Sequence, residues 1–431
     1  MNTLLSVSVA LLAGLIMTRL FKKIHLPSVT ACLIAGVLIG PYCLGALGFN
    51  GIGFVSNESV LNLSLVSEVA LGFIAFSIGN EFRLEELKKT GKQALTIGVF
   101  QAFIATLFVD LALYLVHLVL PNIISLPQVI TLGAIATATA PAATLMVVRQ
   151  YKAHGPLTKL LLPIVALDDA VGLIVFAVSF GVARTMVSGE INLVSIFVDP
   201  LTEIICSLLL GALMGWILTQ LEKLFNSNTN RLNLTIGAVF LTASISMLEF
   251  QIGAVHIHFS SLLTCMMLGT VFCNICPLSH DLMGAADKWT SPLFALFFVI
   301  SGAELELGVF ASVSIVVIGL VYILFRSLGK YLGTFLSAKM TNCSPQICKY
   351  LGITLLPQAG VALGMCTIAM QLGQEGALIR NITLFAVLIY ELAGPLLTRM
   401  ALAAAGEIKP KSEEVKNRRQ NKLAAAGNKE K

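Results

Sequence analysis

The chain has 431 residues, of which 57% are hydrophobic and only 12% charged, against about 25% charged in an ordinary soluble domain; its mean hydropathy is +0.89. This excludes a water-soluble globular fold and predicts an all-α polytopic membrane protein, with length for roughly a dozen spans of ~20 residues and little else. The net charge of +5 does not point to nucleic acid, because the basic residues collect at the ends of apolar segments, where they encode orientation.

Thirteen apolar segments are legible, at about residues 3–21, 27–47, 60–80, 94–120, 126–148, 157–184, 197–221, 232–250, 253–276, 290–305, 309–338, 349–371 and 381–405. The first lacks the basic flank and small-residue cleavage site of a signal peptide. The fifth, "IATATAPAATLMVV", carries Thr137, Thr139 and Pro141 in mid-span. The sixth, "LLPIVALDDAVGLIVFAV", places Asp168 and Asp169 side by side at its centre. The seventh reads as a linker helix, at about 197–221, between halves of about 1–184 and 232–405.

The ninth segment opens on His256-Ile-His258, read as an interfacial pair, and closes on Cys273-Asn-Ile-Cys276, read as a helix end rather than a metal or redox motif. The tenth is short. The eleventh contains "LFRSLGKYLG", with Arg326 and Lys330 one turn apart on one helix face. The twelfth, "ITLLPQAGVALGM", is interrupted by Pro357, Gln358 and Gly360, and the thirteenth carries Glu391 in "IYELAGPLLTR". Cys32, Cys206, Cys265 and Cys366 lie within apolar runs and suggest no disulfide framework. A transmembrane domain therefore covers 1–406, followed by a polar, disordered tail at 407–431.

Of the 28 Lys and Arg residues, all but Arg184, Arg380, Arg326 and Lys330 fall on one side of this arrangement. The positive-inside rule puts that side, with the C-terminus, in the cytoplasm and the N-terminus outside, in a multi-pass cell (inner) membrane. An offset of seven segments between the halves inverts one against the other, as in many secondary transporters. The fifth segment of each half is broken at its centre. A proline there frees a backbone carbonyl, which survives in a membrane only where protein or a water-filled cavity covers it. Inverted repeats with two discontinuous, crossing helices are the predicted architecture.

A carboxylate at bilayer depth costs at least ~2.5–3.5 kcal/mol, so the Asp168–Asp169 pair demands compensation. Successive helical residues diverge by ~100°, which lets one face a cavity and the other a neighbouring helix. The two bind protons as a coupled unit, and one carboxylate that holds either a proton or a hard cation suffices for exchange. The hydroxyls of Thr137 and Thr139, with carbonyls freed around Pro141, are expected to complete the oxygen shell of Na⁺ or K⁺ at Asp169 and Asp168. Arg326 or Lys330 supplies the counter-charge, with Lys330 also able to snorkel to the cytoplasmic face. Glu391 is expected to pair with a buried cation or a broken helix end. Glu68, Asp110, Glu203 and Glu249 rank below these.

The order and spacing of "LPSVTACLIAGVLIGP", "ALGFIAFSIGNEF", "TATAP", "LDDAVGLIVF", "PLFALFFVISGAEL", "RSLGKYLG" and "LLPQAGVALG" resemble the monovalent cation:proton antiporters, specifically their second branch of bacterial Na⁺/H⁺ and K⁺/H⁺ exchangers. The resemblance implies a homodimer built on a dimerisation domain, a moving core domain and elevator-type alternating access. It also implies that Asp169 is the main ion- and proton-binding carboxylate. Asp168 matches a position that is aspartate in electrogenic members, paired with a lysine in the eleventh segment; Lys330 and Arg326 are both candidates for that place.

Two features depart from the pattern. The tail is too short for the nucleotide-binding domain of potassium-efflux members, so gating by nucleotide in cis is not expected. The stretch "ATATAP" stands where "SST" is usual.

The expected function is secondary active exchange of Na⁺, or Li⁺ or K⁺, for H⁺, with membrane lipid and a second copy as partners, no cofactor and no enzymatic activity. A cation channel or Na⁺-coupled solute symporter on a related fold is the alternative, distinguished by current or co-transport without strict counter-exchange. An intramembrane aspartyl protease requires aspartates on two facing helices, and the chain lacks a Gly-x-Gly-Asp stretch.

Overall fold

The structure, a computed structural model, describes residues 3–22, 26–48, 53–79, 82–188, 199–248, 250–252, 255–257, 259–305, 307–308 and 312–408. Sixteen helices account for nearly all of them: α1 (Thr3–Lys22), α2 (Ser28–Ile39), α3 (Asn57–Leu61), α4 (Ser64–Gly79), α5 (Leu84–Val119), α6 (Leu126–Ile135), α7 (Pro141–Tyr151), α8 (Pro156–Ser188), α9 (Asp199–Glu222), α10 (Asn228–Ser246), α11 (Ser261–Ile275), α12 (Ser279–Glu304), α13 (Val313–Met340), α14 (Pro345–Thr354), α15 (Gly360–Ala369) and α16 (Gln374–Ala404). Seven of the described helical stretches are long and apolar enough to cross a membrane unaided.

Each of the thirteen apolar segments contains helix among its described residues, and the fifth and twelfth are each two half-helices, α6–α7 and α14–α15. Several boundaries differ from the sequence reading, three of them for a clear physical reason. The fourth segment starts ten residues early, because "LEELKKTGKQ" is made of good helix formers that continue the helix beyond its apolar part. The tenth is the apolar second part of a longer helix, since α12 begins at Ser279 with the more polar stretch "SHDLMGAADKWT". The ninth does not begin at 253: Phe250–Ile252 and Val255–Ile257 form a two-stranded antiparallel pair, with His256 opposite Gln251. Their β-branched residues favour that pairing over helix. Helix α11 starts only after Ser260, whose hydroxyl caps the Leu263 amide. Glu249, His258 and the tail beyond 408 lie outside the described residues.

The helices pack as two groups, each drawing on both ends of the sequence. In one, α5, α6–α7, α8, α13, α14–α15 and α16 pack on one another; in the other, α1, α2, α4, α9, α10, α11 and α12 do so. They meet along a seam where α2 and α4 touch α7, α9 touches α8 and α2 touches α16. Large apolar side chains stay exposed on the outer helices, among them Leu12 and Leu15 of α1, Leu107 and Leu111 of α5, and Leu209 and Leu213 of α9. Such a surface is unfavourable in water and favourable in lipid.

The chain alternates between two ends. At the end where the basic residues collect, Gln93 Nε2 donates to Thr341 O (3.0 Å) and Asn274 Nδ2 to Phe82 O (2.9 Å). There the Glu407 carboxylate caps the first turn of α8, accepting from the amides of Leu157 (2.6 Å) and Thr158 (2.8 Å). At the opposite end, Ser125 Oγ donates to the Glu375 carboxylate and Gln128 Nε2 to Glu375 O, which ties the start of α6 to the start of α16. None of the nine cysteines is joined in a disulfide.

Candidate functional site

Helix α6 stops at Ile135 and residues 136–140 run unwound until Pro141 opens α7, where its missing amide costs nothing. Helix α14 stops at Thr354, and residues 355–359, including Pro357 and Gln358, run unwound until Gly360 opens α15. The two breaks are joined crosswise: the Ala140 amide donates to Pro357 O at 2.8 Å.

Protein donors claim many of the carbonyls that these breaks release. Arg326, fully buried in α13, donates through Nε to Ala136 O (3.0 Å), through Nη1 to Leu356 O (2.8 Å) and through Nη2 to Ala138 O (2.5 Å). Its guanidinium also lies 4.4 Å from the centre of the Tyr390 ring. Gln358 Nε2 donates to Ile135 O (3.0 Å) and Tyr322 Oη (2.9 Å). A cation set against the C-terminal ends of two half-helices meets the negative ends of both helix dipoles. Arg326 thus staples the crossing together.

Lys330, one turn further along α13, does not snorkel. Its Nζ donates to Thr137 O (2.6 Å), Thr139 Oγ1 (2.8 Å) and Asp168 Oδ2 (2.9 Å), and both it and Asp168 are fully buried. Thr139 Oγ1 donates to the same carboxylate oxygen at 2.6 Å, and Gln101 Nε2 of α5 donates to the other, Oδ1. Close packing makes this possible. A Cβ on Gly329 or Gly333 of α13 would come within 2.8 Å of the α5 backbone at Ala105 or Gln101, so the absence of side chains lets the two helices bring Lys330 and Gln101 to one point.

Asp169 is treated differently. It is 2% exposed, and neither carboxylate oxygen has a hydrogen-bond partner among the described residues. It lines a cavity of about 460 Å³ that lies at the seam, between Ala140 and Pro141 on one side and Leu71 and Phe298 on the other. The cavity continues to the opposite end of the molecule, where Ser246, Met247 and Ser260 line it.

The seam is bridged at the basic end. Arg149 at the end of α7 donates to Asp287 of α12 at 2.8 Å, and Ser77 of α4 donates to the same oxygen at 2.8 Å. Gln150 Oε1 accepts from the amide of Ser28 at the start of α2 (2.7 Å). The cavity therefore reaches Asp169 from one end while polar links cross the seam at the other.

The residues singled out from the sequence lie near one another, and their partners differ from the expectation at two places. Thr137 and Thr139 do not present free ligands to an ion at Asp169. Thr137 Oγ1 donates to Ala134 O (2.7 Å), Thr139 is spent on Asp168, and the freed carbonyls of Thr137 and Ala136 are taken by Lys330 and Arg326. The reason is electrostatic: two buried cations need acceptors, and the broken helix ends supply the nearest. Glu391 does not pair with a buried cation either. It is 6% exposed, its Oε2 has no partner among the described residues, and it lines the same cavity as Asp169.

Glu68 and Glu203 also line that cavity, whereas Asp110 packs against Gly133 on the far side of α5. Gln101, Tyr322 and Tyr390 escaped the sequence reading. An amide in the middle of an otherwise apolar span, as in "IGVFQAFIA", was the available sign of the first.

Comparison with known proteins bears on the family and the fold. The family model described as "Sodium/hydrogen exchanger, transmembrane" matches residues 7–403. The Na(+)/H(+) antiporter NhaS4 of Synechocystis sp. is 23% identical over 411 residues, covering 94% of this chain and 97% of its own. The high-affinity Na(+)/H(+) antiporter NhaS3 of the same organism is 23% identical over 273 residues, 57% of this chain and 58% of its own. Among solved structures, the sodium proton antiporter MjNhaP1 from Methanocaldococcus jannaschii superposes with a TM-score of 0.70 at 18% identity, over 94% of this chain and 98% of the other. That likeness speaks for the fold.

Proposed function

The chain belongs to the family of transmembrane sodium/hydrogen exchangers, and from that membership we propose that it moves Na⁺ against H⁺ with Asp169 as the shared binding group. Membership makes it a multi-pass membrane transporter that exchanges a monovalent cation for H⁺. The choice of Na⁺ rests on the names carried by its relatives.

One observation carries the assignment of the site. Of two adjacent buried carboxylates, Asp168 has every oxygen engaged by Lys330, Thr139 or Gln101, while Asp169 has no hydrogen-bond partner among the described residues and faces the cavity. A carboxylate left unpaired at that depth costs at least ~2.5 kcal/mol and is relieved by a proton or by a hard cation, one at a time. Competition for Asp169 couples the two fluxes.

Lys330 holds Asp168 in place, and Arg326 holds the crossing at which Asp169 sits. The positive-inside rule places the basic end in the cytoplasm of the cell (inner) membrane, so the cavity opens outward and the Arg149–Asp287 link closes the cytoplasmic face. Exchange then follows when the group carrying Asp169 shifts along the seam against the other. The second group, with the exposed leucines of α1, provides the surface for a homodimer. Control of internal pH or of internal Na⁺ is the physiological role such exchange supports.

The test is exchange in proteoliposomes holding an acid lumen. Addition of external Na⁺, Li⁺ or K⁺ to the wild-type protein alkalinises the lumen, with Na⁺ the most effective, and Asp169→Asn abolishes the signal while eluting as the intact protein on size exclusion. Robust exchange by Asp169→Asn overturns the site; a response to K⁺ alone overturns the choice of Na⁺.

A further inference from the structure

The turn between α13 and α14, at the basic end, brings two of the nine cysteines together. Helix α13 closes on a left-handed Asn342 (φ 55°). The Asn342 amide donates to Lys339 O (3.1 Å) and the Cys343 amide to Ala338 O (2.9 Å), the paired hydrogen bonds of a Schellman turn. Ser344 follows as the N-cap of α14, and Pro345 takes the first helical position. Gln93 of α5 holds the turn in place through Thr341 O (3.0 Å).

Cys343 therefore stands just before the N-cap, and Cys348 is the fourth residue of the helix. Side chains at those two positions pack against each other across the first turn, where two apolar residues ordinarily form a staple. Here both are thiols. Cys348 Sγ reaches back over the turn and donates to Cys343 O at 3.6 Å, and the two thiols lie within electrostatic reach of each other. Their access to solvent differs. Cys348 is 7% exposed, whereas Cys343 is half-buried between the exposed Asn342 and Ser344.

We propose that Cys343 and Cys348 form a redox-active dithiol that closes to a disulfide under oxidising conditions, with glutathione disulfide as its oxidant. The Cys343 thiolate, the more accessible, attacks one sulfur of glutathione disulfide, breaks its S–S bond and releases one glutathione. The Cys348 thiolate then attacks the Cys343 sulfur of the mixed disulfide, releasing the second glutathione and forming the internal bond. Two thiols lose two electrons and two protons, and one glutathione disulfide becomes two glutathiones. The orientation given above places this turn in the cytoplasm, where a disulfide is a transient, responsive bond.

The bond acts on a short helix. Helix α14 has ten residues, too few to be stable without support, and it carries one arm of the crossing. Two residues beyond its end, Leu356 O accepts from Arg326. A disulfide at the first turn replaces a side-chain contact with a covalent closure and keeps that turn wound, so this arm is stiffer in the oxidised protein. The thiol chemistry is independent of the antiport reading; only its bearing on ion exchange rests on that reading.

Trypsin cuts after Lys339 and Lys349, so both thiols fall in the peptide 340–349, which holds no other cysteine. The full chain in detergent is equilibrated with mixtures of glutathione and glutathione disulfide, quenched in acid, alkylated, digested and read by mass spectrometry. In the wild type this peptide is expected to lose two hydrogens as the mixture becomes oxidising and to regain them with glutathione. Cys348→Ala accumulates glutathione on Cys343, because nothing resolves the mixed disulfide, and Cys343→Ala takes up none on Cys348. Amide hydrogen exchange at 348–351 slows about 10-fold in the oxidised wild type and in neither variant.

A wild-type peptide that stays a dithiol, or that carries glutathione on both cysteines, overturns the proposal. A disulfide joining two copies of the chain overturns it as well, as does glutathione on Cys348 of Cys343→Ala with none on Cys343 of Cys348→Ala. Should either variant fail to accumulate, the wild-type peptide decides alone. None of these readouts measures Na⁺, so a negative result leaves the antiport reading standing, and absence of exchange leaves the dithiol standing.

Discussion

Arg149 and Asp287 face each other across the seam between the two groups of helices, 2.8 Å apart and each only partly exposed. They belong to different groups, α7 and α12, and Ser77 of α4 bonds the same carboxylate oxygen. Any movement of one group against the other must break this contact, so its strength contributes to the barrier between the two accessible conformations.

Asp287→Ala is therefore expected to loosen the basic end. Amide hydrogen exchange in the last turn of α7 and the first turn of α2 becomes faster, while α5 and α13 keep their protection. Arg149→Ala has the same effect. The double variant is no worse than either single one, with a coupling of about 0.5–2 kcal/mol in the cycle. Independent, additive effects would show that the pair does not act across the seam.

The two adjacent aspartates differ in what their removal leaves behind. Asp168→Asn deprives Lys330 of its buried counter-ion, and breaking such a pair costs about 3–5 kcal/mol. Asp169→Asn removes a charge that has no hydrogen-bond partner among the described residues. Thermal unfolding in detergent is expected to show a clearly lowered Tm for Asp168→Asn, and a Tm at or above that of the wild type for Asp169→Asn. The reverse order would contradict the division of labour within the pair.

Arg326 holds three carbonyls at the crossing. Arg326→Ala leaves them buried without donors, at about 1–3 kcal/mol each, and the expected result is protein that fails to accumulate in the membrane or unfolds at a much lower temperature. Arg326→Lys keeps the charge but cannot span three acceptors at once, so it rescues accumulation only in part. A fully stable Arg326→Ala protein would mean that the crossing is held by other contacts.

Much of this was open to reading in the sequence, because a bilayer makes sequence patterns stringent. The thirteen apolar segments, the paired breaks and the centrality of Asp168 and Asp169 all follow from the cost of placing polar groups in hydrocarbon. Partner choice was not legible. Arg326 and Lys330 sit one turn apart on the same face, and which of them meets Asp168 depends on the crossing of α13 over the breaks, a tertiary relationship with no local signal.

That the hydroxyls of Thr137 and Thr139 bond Ala134 O and Asp168 was not legible for the same reason. Their neighbours determined whether they stayed free. The strand pair around His256 was missed because a short run with β-branched residues between two helices reads as the start of the next apolar segment.

The crosswise bond between Ala140 and Pro357, with Arg326 spanning both breaks, makes the crossing one piece that lies wholly within one group of helices. On the proposed reading, Asp169 and the crossing beside it travel as one body, while the rate of that travel is set by the contacts at the seam. Substitutions in the Arg149–Asp287 link, which lies away from the cavity lining, are then expected to alter how fast the transporter cycles and to leave its preference among ions as it was.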